Sequence, residues 1–181
     1  MQELREGVWW WTAPHPDWRP GAAWDREVSS YAFDCGETFV LVDPLSPPQL
    51  VDELAAGRDV VVALTTPSHR RSADELGARL GAHVHETGAE LPACVVAQAS
   101  YWGDEETPLW IPAYGALVFG DSLLGGDDGV RIPDEWLPET TSHDDAAAAL
   151  RPLLDLPVEL VLPTHGAPAD RDALARALAG S

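Results

Sequence analysis

Three polar side chains stand just beyond short apolar runs: His69 after residues 60–64, Asp121 after residues 116–119, and His165 after residues 158–162. Imidazole nitrogens and carboxylate oxygens are the donors that zinc, manganese and iron accept, and catalytic sites of this kind pair three protein ligands with water. In open α/β sheets ligands gather beyond the carboxyl ends of strands. All three residues fall on such ends, so the pattern permits a site for one divalent metal. Each also has a plain structural use. The His165 ring could bond a neighbouring main-chain group, Asp121 could cap the turn after Gly120, and His69 could simply precede a helix. His83 and His85 flank Val84 on one face of a strand, away from its end, which favours a surface or structural role. The acidic runs 104–106 and 127–128 read as solvated loops, with a hard cation such as calcium as the alternative. Trp9, Trp10, Trp11, Trp18 and Trp24, with His15 among them, would wall a pocket for an apolar or cationic ligand. Their alternative is core, or the surface of a homodimer.

The elements that must position these groups follow from periodicity. Residues 7–12, 28–33 and 39–42 read as strands, the last two joined as a hairpin across Asp34-Cys35-Gly36-Glu37. A short helix carrying Leu50, Val51 and Leu54 ends at Gly57. Residues 60–64 form a uniformly apolar, β-branched run, as in a strand covered on both faces. Ser72-Ala73-Asp74-Glu75 has the form of a capping box opening a helix that Gly81 stops, and a strand follows at 82–85. Residues 93–99, 107–111 and 116–119 read as an antiparallel set. Ser142 opens a helix that Pro152 breaks or kinks. Residues 158–162 are a second buried strand, and 168–178 a terminal helix with Gly180 behind it. The runs VVALTTPSH and ELVLPTHG are alike, each an apolar strand leading to Thr and then His, so the chain reads as mixed α/β in two similar halves.

Composition removes whole classes of function. The 181 residues carry 11 basic and 30 acidic side chains, a net charge of −19, and every basic residue is arginine. Without lysine there is no P-loop or kinase phosphate lysine and no Schiff-base amine. The acidic surface would be repelled by nucleic acid and anionic lipid, which leaves a small-molecule substrate or ligand. An aspartyl nucleophile of phosphotransferase type would want a Lys or an Asp-x-Asp turn, and Asp121-Ser122-Leu123 supplies neither. The length predicts a single domain, 1–181. The opening MQELREGVWWWTAPHPDW reads as neither a signal peptide nor a membrane span, and two cysteines without metal spacing fit a reducing cytoplasm.

Leu41-Val42-Asp43-Pro44, Leu64-Thr65, Phe119-Gly120-Asp121 and Leu162-Pro163-Thr164-His165-Gly166 resemble, in order and spacing, motifs of the metallo-β-lactamase fold superfamily across most of residues 28–168. The resemblance implies a compact α/β domain built as an αββα sandwich, with a metal site at the sheet edges. It also implies hydrolysis of thioesters, lactams, phosphodiesters or related bonds by metal-activated water. The departures are specific. Where the family has His-x-His-x-Asp-His, this chain has Thr66-Pro67-Ser68-His69-Arg70-Arg71-Ser72, with one histidine. Read strictly from Leu64-Thr65, Thr66 and Ser68 take the first two histidine places. The register slid by one residue, preferred because a histidine then keeps a ligand role, gives His69 the second histidine's place and Arg71 that of the aspartate, where a fixed cation would exclude a second metal. No histidine stands between His85 and Asp121, so a two-metal centre is not expected.

Two functions follow. One is a mononuclear hydrolase of a small ester, thioester or phosphoester, its zinc, iron or manganese held by His69, Asp121 and His165. Asp121 and Arg71 would then be catalytic, Arg71 by stabilising the developing oxyanion. The other is a metal-free member of the fold that binds a ligand or regulates a partner.

Overall fold

Strands β1 (Gln2–Arg5), β2 (Val8–Pro14), β3 (Glu27–Cys35), β4 (Thr38–Val42), β5 (Asp59–Ala63) and β6 (His83–His85) form a six-stranded sheet in that spatial order. The computed structural model describes residues 1–126 and 129–179, and the chain gathers into two units, residues 1–92 and residue 93 onward. In the first unit β1 to β4 pair antiparallel and β4, β5 and β6 pair parallel. The change of direction follows the chain. Gly36, at φ 77°, turns the β3–β4 hairpin, and helices α1 (Leu50–Ala55) and α2 (Ala73–Leu80) then carry the parallel crossovers. Alternate residues Phe39, Leu41, Val60 and Val62 pack with Val51 and Ala55 of α1 and Ala73 and Leu76 of α2. Trp9 and Trp11 join that core at 9% and 3% exposure, so these two tryptophans take the core alternative.

The helix starts divide. Ser142 makes the full capping box with Asp145 at the start of α3 (His143–Leu150). Ser72 makes no cap bond; its Oγ accepts from the Ser46 N–H at 3.0 Å. The capping box expected at Ser72–Glu75 is corrected accordingly: a tertiary donor claims the hydroxyl that local pattern assigned to the helix.

In the second unit β7 (Val96–Ala97), β8 (Leu109–Ile111), β9 (Ala116–Phe119) and β12 (Leu160–Pro163) form a sheet in the order β12-β9-β8-β7. β10 (Leu124–Gly126) and β11 (Gly129–Arg131) form a separate two-stranded antiparallel sheet. The predicted antiparallel set is present in β7 to β9, and β12 runs parallel to β9. Leu117, Phe119 and Val161 pack with Ala146, Ala147 and Leu150 of α3 and with Leu174 of α4 (Arg171–Ala177). Pro152 acts as expected: α3 stops at Leu150 and a 3₁₀ turn covers Arg151–Asp155. The loop reading of Asp127-Asp128 and the stop at Gly180 lie outside the described residues. No helix among the described residues is long and apolar enough to cross a membrane.

Candidate functional site

In the first unit the chain leaves β4 through Asp43, whose φ of 45° is unusual for a residue with a Cβ. That turn points a fully buried carboxylate at the end of β5. Asp43 Oδ1 accepts from the Thr65 N–H at 2.9 Å, and Oδ2 accepts from the Thr65 hydroxyl and lies 2.9 Å from His69 Nδ1. His69 sits in the 3₁₀ turn Pro67–Arg70, 4% exposed, and Thr66 caps that turn by accepting from the Ser68 N–H. A carboxylate at Nδ1 selects the tautomer with the proton there, so Nε2 carries the lone pair that a metal requires. Sequence reasoning had Asp43 only as part of a motif. The Asp-Pro step directly after an apolar strand was its signal, but the bond to His69 spans 26 residues.

Arg71 is held close by. Its Nη1 donates to the Ser29 carbonyl at 2.9 Å and the Asp43 carbonyl at 2.8 Å, and its backbone stands at φ 36°, ψ −114°, a strained conformation for arginine. Burial, and then the Arg71 charge, hold the His15 imidazole below its ordinary value. Trp24 meets the His15 ring edge-on at 5.1 Å. His83 is exposed, 3.8 Å from Asp59, and His85 Nδ1 is bonded to the Glu90 carbonyl, in keeping with surface roles for both.

In the second unit the parallel register sets the geometry. Phe119 is paired with Pro163, so the next residues, Gly120-Asp121 and Thr164-His165, leave adjacent strand ends side by side. The Thr164 N–H donates to the Phe119 carbonyl at 2.9 Å and prolongs the ladder. Asp121 Oδ1 lies 3.4 Å from His165 Nε2. That separation exceeds the roughly 2.8 Å of a tight imidazolium–carboxylate bond. It matches the edge, about 3.3 Å, of a tetrahedron with donors about 2.0–2.1 Å from a central zinc. His165 is 8% exposed, with the Trp136 ring edge-on at 5.5 Å. Its carbonyl accepts from the Gly125 N–H at 2.6 Å. That contact needs two glycines: a Cβ on Gly166, at φ 108°, would stand 2.5 Å from Gly125 Cα.

Glu106 corrects the reading of residues 104–106 as a solvated loop. It is 2% exposed, and its carboxylate accepts from Gly120, Ser122 and Ser100. Burial pushes its pKa up, against the pull of those bonds and with a further push from Asp121. Asp104 and Glu105 are exposed, as expected. Charge run alone could not separate Glu106 from its neighbours, because the donors that bury it lie 6 to 16 residues away.

His69, Asp121 and His165 each offer one donor atom of a type that divalent metals accept. The donor chemistry fits such an ion: the carboxylate-bonded imidazole of His69 presents the correct nitrogen, and the Asp121–His165 spacing suits shared ligation.

No protein-family model and no curated protein sequence matches the chain. Solved structures do. A metallo-β-lactamase from Pontibacter korlensis superposes with TM-score 0.66 at 15% identity, over 98% of this chain and 95% of its own. One from Erythrobacter litoralis gives 0.63 at 16%, over 98% and 89%. An archaeal metallo-β-lactamase superfamily protein from Sulfolobus tokodaii gives 0.60 at 13%, over 83% and 78%. At such identities the likeness is one of architecture, and it agrees with the motif order of the sequence: the chain has the metallo-β-lactamase fold.

Proposed function

We propose that the protein is a mononuclear metal-dependent hydrolase of a small ester, thioester or phosphoester, with His69, Asp121 and His165 as the metal ligands. The observation that carries this is the 3.4 Å spacing of Asp121 Oδ1 and His165 Nε2, supported by the tautomer that Asp43 imposes on His69. A bound zinc, iron or manganese would lower the pKa of a water and polarise the scissile carbonyl or phosphoryl group.

The chain's own residues have separate tasks. Asp43 keeps the proton of His69 on Nδ1. Asp121 supplies a carboxylate at the reacting centre. Arg71, tied through Nη1 to two carbonyls, stabilises the negative charge that develops on the substrate. The net charge of −19 favours a neutral or cationic small molecule, or an anion screened by the metal, over nucleic acid or an anionic membrane. The cysteine usage supports a cytoplasmic setting.

A second reading keeps the fold and dispenses with the metal, so that the chain binds a ligand or regulates a partner. It draws on residues 66–72, where Thr66 and Ser68 bond one another and His69 is the only histidine. Elemental analysis of tag-free protein from metal-replete growth separates the two. The expected result is one zinc, iron or manganese per chain in the wild type and loss of it in His165→Ala. Wild-type protein without bound metal sinks the hydrolase and leaves the second reading.

A further inference from the structure

Glu106 stands before β8 and is buried with its charge turned on one short segment. Oε1 accepts from the Gly120 N–H at 2.9 Å, the Ser122 N–H at 3.1 Å and the Ser122 hydroxyl at 2.9 Å. Oε2 accepts from the Ser100 hydroxyl at 2.8 Å. A carboxylate has about four lone-pair positions and no donor when ionised. Here it takes four bonds, three of them from the residues on either side of Asp121. From the other side the Tyr101 hydroxyl donates to the Ser122 carbonyl at 3.0 Å. The segment bearing Asp121 is therefore anchored before and after that residue, while the Asp121 side chain is left to face His165.

We propose that Glu106 is the positioning residue of the site: by clamping residues 120–122 it holds the Asp121 carboxylate at ligating distance from His165. This rests on the metal reading above for its consequence, and on hydrogen bonds within one unit for its cause. A buried carboxylate is a costly way to satisfy two amides that solvent could otherwise serve. The placement makes sense where a neighbouring carboxylate must not move, since small errors in ligand position weaken a metal site.

Zinc affinity, measured on apo protein by competition with a chromophoric chelator, tests it. Glu106→Ala should weaken zinc binding by about 10-fold or more, as loss of a ligand-orienting partner does. Glu106→Gln keeps an acceptor oxygen for Gly120 and Ser122 and should restore affinity to within about threefold. Leu150→Ala, which loosens the core of the same unit but removes none of the hydrogen bonds to residues 120–122, should lose stability and keep its zinc affinity. Wild-type affinity in Glu106→Ala, or equal zinc loss in Leu150→Ala, overturns the proposal. Should Glu106→Ala not fold, Glu106→Asp, which withdraws the acceptor by one methylene, carries the same expectation. A wild type that binds no zinc defeats the metal reading alone. Amide exchange then decides the clamp: Gly120 and Ser122 should be protected in wild type and Glu106→Gln and exchange fast in Glu106→Ala while Val118 stays protected. Unchanged exchange at the two amides refutes it.

Discussion

Among the described residues each half of the molecule buries one carboxylate beside the end of a parallel strand pair, and the two carboxylates serve different partners. In residues 1–92 Asp43 reaches the imidazole itself, so it governs which ring nitrogen of His69 holds the proton. In the second half Glu106 touches no imidazole. It bonds the main chain and hydroxyls around Asp121, so it governs where a different carboxylate stands. Similar local patterns, an apolar strand followed by Thr and then His, are thus completed by unlike support: one half controls protonation, the other controls place. The difference follows from which donor lies against the carboxylate. Asp43 is carried to His69 by its left-handed backbone, whereas Glu106 stands just ahead of β8, whose partner strand β9 leads straight into the Gly120–Ser122 turn.

The contrast can be broken most forcefully at Asp43. Asp43→Ala leaves the Thr65 amide and the His69 imidazole buried without their acceptor and should cost about 3 kcal/mol in denaturant unfolding. Asp43→Asn should cost less and act on protonation. Its carboxamide can serve the Thr65 amide but presents N–H to His69, moving the ring proton to Nε2. Ring nitrogen shifts in ¹⁵N NMR would show this, and an unchanged tautomer would contradict control by Asp43.

Next in size is the backbone contact behind His165. Gly166→Ala forces a Cβ to within 2.5 Å of Gly125 Cα at a φ of 108°, which should cost about 2–3 kcal/mol by strain and overpacking. Gly36→Ala, at φ 77° with open space around it, should cost about 1 kcal/mol. Comparable losses in the two would show that crowding behind His165 is not what holds it.

The smallest effect is a pH dependence at Glu106. Its pKa is raised in the folded protein, chiefly by burial. The native state therefore binds that proton more tightly than the unfolded chain, and wild type loses stability as pH climbs from the ordinary glutamate value through the raised one. Glu106→Gln has no such loss. The unfolding free energy of the variant relative to wild type should drift in the variant's favour across that window and level off above it. A drift of opposite sign would mean that the four accepted bonds outweigh burial.

The candidate ligands were legible because strand ends are legible. His69, Asp121 and His165 could each be picked out as a polar residue placed where an apolar run stops. The hairpin at Gly36, the helix start at Ser142 and the break at Pro152 were equally readable, since each is local chemistry within a few residues. What escaped were bonds between distant residues: Asp43 with His69, Glu106 with Gly120 and Ser122, and the Ser46 amide that draws Ser72 away from its helix. Glu105 and Glu106 are adjacent and identical in type, yet one is exposed and the other is buried under four donors.

The sequence by itself determined the donor types, the strand ends that carry them, the absence of lysine chemistry and the motif order of the metallo-β-lactamase fold, because periodicity and composition are properties of neighbouring residues. Tertiary structure alone decided the imidazole tautomer of His69, the anchoring of Asp121 and the two-glycine contact that seats His165. Each of those depends on which donor meets which acceptor in a space closed to water, where an unmatched group is costly and a matched one holds its partner still.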